Sequence, residues 1–179
     1  MNFSCTRHLR LTAIGIVALA AGSLVACSPE PEPTPTPTAA FASEEEAFDA
    51  AEEVYRAYLI AEDAMGNEDP GEDPQSYLTG QALKDTAAAQ QAFDEDGVRI
   101  VGTTTLQSFE GATADVEASV AKLVAIACID VSESRVLDSS GSDITPVDRD
   151  TSWPLEVTFV GDRSSLLISE SLTTESAGC

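Results

Sequence analysis

The hydrophobic period of this chain changes once, at Gly97, and that change limits the architecture more than any other feature. Between Ser43 and Gly97 the apolar residues recur every three or four positions; from Val98 onward they alternate or come in β-branched runs. Ser43 followed by Glu46 forms a capping box, so a helix is predicted to begin there. Phe48, Ala51, Tyr55, Tyr58 and Leu59 share one of its faces, with Glu44, Glu45, Glu52, Glu53 and Arg56 on the other, and Gly66-Asn67 ends it. The stretch NEDPGEDP reads as a loop leading into a short helix over 74–79. Its acids suggest calcium, but the spacing lacks the alternating ligands and closing glutamate of an EF-hand loop, which favours a solvated turn. A second helix is predicted over 80–93, rich in Ala, Gln, Leu and Lys, and ended by Asp94-Glu95-Asp96-Gly97.

After Gly97 strands follow. Residues 98–101 and 103–106 form the first; Glu110-Gly111 supplies a turn; and the alternating stretch 113–118 starts a second strand running on through Leu123, Val124, Ile126 and Ile129. That near-continuous apolar run implies a central position covered on both faces. Arg135-Val136-Leu137 continues it or makes a short strand of its own. SSGSDITP is a turn, 155–159 alternates again, and Gly161-Asp162 turns into a last strand over 165–172. Helices first and an antiparallel meander afterwards define an α+β class, with N-terminal helices packed on one face of a curved sheet. One domain over 43–179, about 137 residues, is a comfortable size for a single core.

The N-terminus belongs to another physical regime. MNFSCTRHLR carries Arg7, His8 and Arg10 without an acid, and the 16 residues from Leu11 to Ala26 carry no charge, the layout of a signal peptide. That run is shorter than the ~20 apolar residues that span a bilayer. Its end, Leu24-Val25-Ala26-Cys27, resembles the lipobox of bacterial lipoproteins. The resemblance implies cleavage between Ala26 and Cys27 and a thioether-linked diacylglycerol on Cys27, so that 1–26 is the leader and the anchored protein faces the outside of the cell membrane. Burial of about 0.8 kcal/mol per methylene makes two acyl chains a firm hold where one is marginal. Residues 27–42 then form a linker. Pro29, Pro31, Pro33, Pro35 and Pro37 hold it in polyproline II or leave it disordered, with a reach of roughly 45 Å at ~3.1 Å per residue.

Without the leader, seven basic residues face 31 acids, a formal side-chain charge of −24. Such a domain repels phosphate backbones and acidic lipid headgroups, which argues against a nucleic-acid partner. The one histidine is His8, in the leader, so the remaining chain can build neither a Ser-His-Asp triad, nor a Cys-His dyad, nor an ordinary zinc site. Phosphate-cradling glycine loops are absent as well.

The element order, the segment CIDVSESRVLDSSG from Cys128 to Gly141, and the terminal Cys179 together resemble the cone-shaped fold of nuclear transport factor 2 and its relatives, as found in short actinobacterial lipoproteins of uncharacterised function. The family spans isomerases, dehydratases, cyclases and plain binding modules, so the resemblance implies a fold and leaves the activity open. Of the four cysteines, Cys5 leaves with the leader and Cys27 takes lipid. Cys128 and Cys179 remain in an oxidising exterior and are expected to pair; the alternative is a buried free thiol at Cys128 with a loose tail at Cys179. The leading expectation is a non-enzymatic module that binds an envelope protein or a small ligand, with no cofactor. The alternative is a small-molecule isomerase or lyase using a buried carboxylate near Tyr55, Tyr58 or Tyr77, with no particular pair indicated by spacing. A deep cavity holding a buried carboxylate would favour the second; a filled core would favour the first.

Overall fold

The first helix, α1 (Glu44–Gly66), starts where the capping box places it. Ser43 sits in extended backbone and its hydroxyl accepts the Glu46 N–H at 3.2 Å. The Glu46 carboxylate reaches back to the Ala42 N–H at 2.9 Å and pairs with Arg163. The computed structural model describes residues 38–175 and 179. The leader, Ala26, Cys27 and the proline tract lie outside the described residues. Thr36–Cys179 forms one compact unit, and its core reaches back to Phe41, which the sequence assigns to the linker but which is 2% exposed. Among the described residues no helix is long and apolar enough to cross a membrane.

Of the predicted stripe of α1, Ala51, Tyr55 and Leu59 are buried, joined by Ala47 and Ala61, while Phe48 and Tyr58 are half-buried at the margins. A short 3-10 turn, Pro74–Tyr77, is capped by Asp73 and leads into α2 (Gly80–Asp96). This second helix ends as expected at Gly97, whose φ of 65° is the left-handed conformation that glycine adopts without steric cost.

Six strands follow: β1 (Arg99–Val101), β2 (Thr105–Asp115), β3 (Ala121–Asp130), β4 (Arg135–Leu137), β5 (Ser152–Gly161) and β6 (Leu167–Thr173). β2, β3, β5 and β6 make an antiparallel sheet in that order, while β1 and β4 pair separately. Register shifts in the β2–β3 and β5–β6 pairs bend the sheet, and α1 lies against its inner face.

Three strand expectations are corrected. Glu110-Gly111 is not a turn: it lies in the middle of β2, opposite Ile126 and Ala125. Gly111 is there because the Phe48 ring packs onto it, and a Cβ would come within 2.6 Å of that ring. The reversal falls instead at 116–120, so the single long strand expected from 113 to 129 is two strands. Residues 98–101 and 103–106 are likewise separated, by Gly102 at φ 105°. The third correction concerns β3, which is central but fully covered on one face only. Ala121, Leu123, Ala125 and Ala127 are wholly buried against α1, whereas Val124 and Ile126 on the other face are half-buried. Arg135-Val136-Leu137 forms its own strand, β4, against β1.

Candidate functional site

Where α1 runs past the sheet, the core opens. The first two-thirds of the helix bury the small Ala47 and Ala51, which lets it settle onto β2 and β3, and Tyr55 closes this packed part against Phe109 and Phe159, with ring centroids 6.3 and 6.5 Å away. Beyond Tyr55 the neighbouring elements are the short β1–β4 pair and the C-terminal half of α2, and between them lies a cavity of about 570 Å³. That is the size of a small-molecule site.

The wall from α1 is fixed at its far end by polar contacts to the chain between β1 and β2. Asn67 and Gly102 exchange two hydrogen bonds, Nδ2 to the Gly102 carbonyl at 2.9 Å and the Gly102 N–H to Oδ1 at 2.8 Å. Asp63 accepts the Thr104 N–H at 2.9 Å. Gly66 allows the approach, since a Cβ there would lie 2.2 Å from the Ile100 carbonyl oxygen.

Into the cavity from α1 come Tyr55, Tyr58, Leu59 and Glu62. Tyr58 and Glu62 are one helical turn apart, and the tyrosine hydroxyl donates to the carboxylate while Thr86 of α2 bonds the same hydroxyl. Burial pushes the Glu62 carboxyl above the usual carboxylate range, against the opposing pull of the Tyr58 hydrogen bond and with a further upward push from Asp63. Desolvation raises both tyrosines as well, with Glu62 adding to the effect, so both stay neutral at ordinary pH.

Three arginines line the same cavity, Arg99, Arg135 and Arg149, of only seven basic residues after position 26. Each has partners. Arg99 pairs with Glu68 at 2.9 Å. Arg135 donates from Nη1 to the carbonyls of Ser132 and Ser134, both at 2.7 Å, and lies 3.8 Å from Asp143. Arg149 donates from Nη2 to the carbonyls of Val131 (2.7 Å) and Ser134 (2.6 Å); hydrogen bonds from Ser132 hold Asp130, and those from Thr145 hold Asp143, below the usual carboxylate range, with a smaller pull from the Arg149 charge on each. The Arg135 and Arg149 groups tie the 131–149 segment to itself.

Of the three tyrosines considered from sequence, Tyr55 and Tyr58 reach the cavity and Tyr77 does not; its hydroxyl donates to Glu72 outside it. Glu62 was missed, although one signal pointed to it: it continues the apolar stripe from Tyr58 and Leu59 at helical spacing, where a solvated acid has no place. The arginines carried no such signal, because their convergence depends on long-range pairing. Cys128 and Cys179 are bonded, with Cα atoms 5.6 Å apart. Cys128 is buried on the outer face of β3, so the bond closes the sheet's far side and does not touch the cavity. No group of three metal-ligating side chains comes together among the described residues.

No protein-family model matches the chain, and no curated protein matches it. Among solved structures it is similar to the intermembrane-space region of the chloroplast protein ARC6, at 15% identity and a TM-score of 0.48, over 70% of this chain and 95% of that one.

Proposed function

We propose that this protein is a lipoprotein held on the outer face of the cell membrane by a diacylglycerol on Cys27, and that its folded part, a cone of the nuclear transport factor 2 kind, binds a small ligand without converting it. Support for the anchor is the LVAC sequence behind a charge-free run and ahead of a proline spacer. Support for the cone is the order of helices and then a bent antiparallel meander with a cavity beneath the helices. The observation that carries ligand binding is the cavity itself, about 570 Å³ with an aromatic and aliphatic wall and a few placed polar groups.

The same cavity favours a second reading, an isomerase or lyase with Glu62 as the base. Non-catalytic binding is preferred because proton abstraction needs a separate donor facing the developing negative charge. Here Tyr58 is already committed to the carboxylate, and Tyr55 is packed between the rings of Phe109 and Phe159.

Metabolic fatty-acid labelling with cell fractionation tests the anchor. The wild type is expected to be labelled and membrane-bound, and Cys27→Ala unlabelled and released; an unlabelled wild type that stays on the membrane overturns the lipoprotein reading. A thermal-shift screen of envelope lipids and small amphiphiles, with products analysed, tests the site. Turnover that disappears in Glu62→Gln would replace the binding reading with the enzymatic one.

A further inference from the structure

Counting partners around the cavity leaves, among the described residues, two carboxylates without an ion pair or a backbone donor, Glu62 and Asp94, and of these Asp94 is exposed at the end of α2. Glu68 faces Arg99, Asp143 faces Arg135 and Arg149, and Asp63 holds a backbone N–H. Among the described residues no ion pair reaches Glu62; its carboxylate receives the Tyr58 hydroxyl and lies beside Asp63. A carboxylate facing a cavity next to two tyrosine rings is a receptor for a cation, since the charge offers an ion pair and the ring faces add attraction to a cation within ~6 Å. The arginines of the lining are weaker anchors for an anion, because Arg99 and Arg135 pair with Glu68 and Asp143 and the Nη2 donor of Arg149 is taken by the Val131 and Ser134 carbonyls. The field of a chain of formal charge −22 also draws cations toward the mouth.

We infer that the cavity takes a ligand with an ammonium or similar cationic head, seated on Glu62 beside Tyr55 and Tyr58, and an apolar body lying against Leu59, Ile129 and Leu155. This rests on the small-ligand reading of the cavity and adds the chemical class. The ammonium replaces the missing cation and satisfies carboxylate lone pairs that the tyrosine leaves open. The apolar wall supplies non-directional affinity for the body.

Three probes with one body separate the terms: 4-phenylbutylamine, 4-phenylbutanol and 4-phenylbutyrate, each titrated calorimetrically into the full-length chain. The amine is expected to bind about tenfold more tightly than the alcohol, a difference of about 1.4 kcal/mol, and the carboxylate more weakly than either. Glu62→Gln should reduce the amine's advantage to under about twofold while the alcohol's affinity holds, and Glu62→Asp, which keeps the charge, should retain a preference for the amine. Equal binding of amine and alcohol overturns the cationic head and leaves small-ligand binding standing. Tighter binding of the carboxylate overturns the head as well and assigns control to the arginine rim. An amine preference that survives Glu62→Gln, in a variant whose melting shows it folded, also overturns the assignment. Failure of all three to bind overturns both the head and the small-ligand reading.

Discussion

The two α-helices among the described residues are built from similar material and end in opposite situations. Both are alanine-rich, with charges spread along α1 and confined in α2 to Lys84, Asp85 and the last three residues. Yet α1 buries Ala47, Ala51, Tyr55, Leu59 and Ala61, while α2 buries only Ala82. The difference is one of position. α1 lies on the inner face of the central strands. By contrast, α2 touches the sheet at its first turn, where the Thr79 N–H donates to the Ile168 carbonyl of edge strand β6 at 2.8 Å. Past that turn it is supported by its own i,i+4 pairs, Gln81–Asp85 at 2.7 Å and Gln91–Glu95 at 2.8 Å, by Gln90 bridging to Gln75 and Met65, and by Thr86 on Tyr58. Helix propensity makes both segments helical, but only tertiary burial gives a helix the stability of the core. Both helices wall the cavity, α1 from Tyr55 to Gly66 and the less buried α2 with Gln90, Phe93 and Asp94.

The sharpest way to break that comparison is to truncate one aromatic on each helix. Tyr55→Ala removes a fully buried ring in contact with Phe109 and Phe159 and should cost about 3–5 kcal/mol in denaturant unfolding. Phe93→Ala, at a site 39% exposed on α2, should cost under about 1 kcal/mol. Similar losses at both sites would mean that α2 is packed as firmly as α1.

The disulfide sharpens the contrast from the sheet side. Cys179 follows β6, the strand on which α2 rests, so replacing Cys128 and Cys179 by serine frees the end of that edge. In the chain-entropy model the loss is roughly 4 kcal/mol for a span of 51 positions. Hydrogen exchange should show protection falling further in β6 and α2 than in α1; uniform loss across all three elements would contradict a separately supported α2. The bond itself is checked by intact mass after alkylation without reduction, where no added label is expected on either cysteine.

The smallest expected effect lies where the two helices meet, at Glu62. Burial raises its folded pKa above the reference value of 4.5, so on raising the pH the unfolded chain releases this proton before the folded one does. Its contribution to stability is therefore complete below about pH 4.5 and is lost as pH rises through the higher folded value. Glu62→Gln should melt above the wild type at pH 7, with the advantage gone near pH 4. A variant that melts lower at pH 7 would show that the Tyr58 contact outweighs the desolvation of the carboxylate.

What could be read along the chain was whatever depends on near neighbours. The capping box at Ser43, the stripe through Ala51, Tyr55 and Leu59, the glycine stop at Gly97 and the meander after it all follow from interactions within a turn or two, and so does the α+β class. Gly111 shows the limit. Beside a glutamate and between polar alternations it has the composition of a turn, and only the Phe48 ring, 63 positions away, accounts for a glycine inside β2, at a register shift against β3. The candidate site was legible in part. Tyrosines on the apolar stripe pointed inward and the expectation of an oxidising exterior pointed to the Cys128–Cys179 pair, but the cavity exists because α1 outruns the sheet. The same geometry pairs Arg99, Arg135 and Arg149 with partners and leaves Glu62 without a cation. Desolvation and charge pairing depend on what surrounds a group in three dimensions, and that environment, unlike a helix cap or a hydrophobic period, is assembled from residues far apart in the chain.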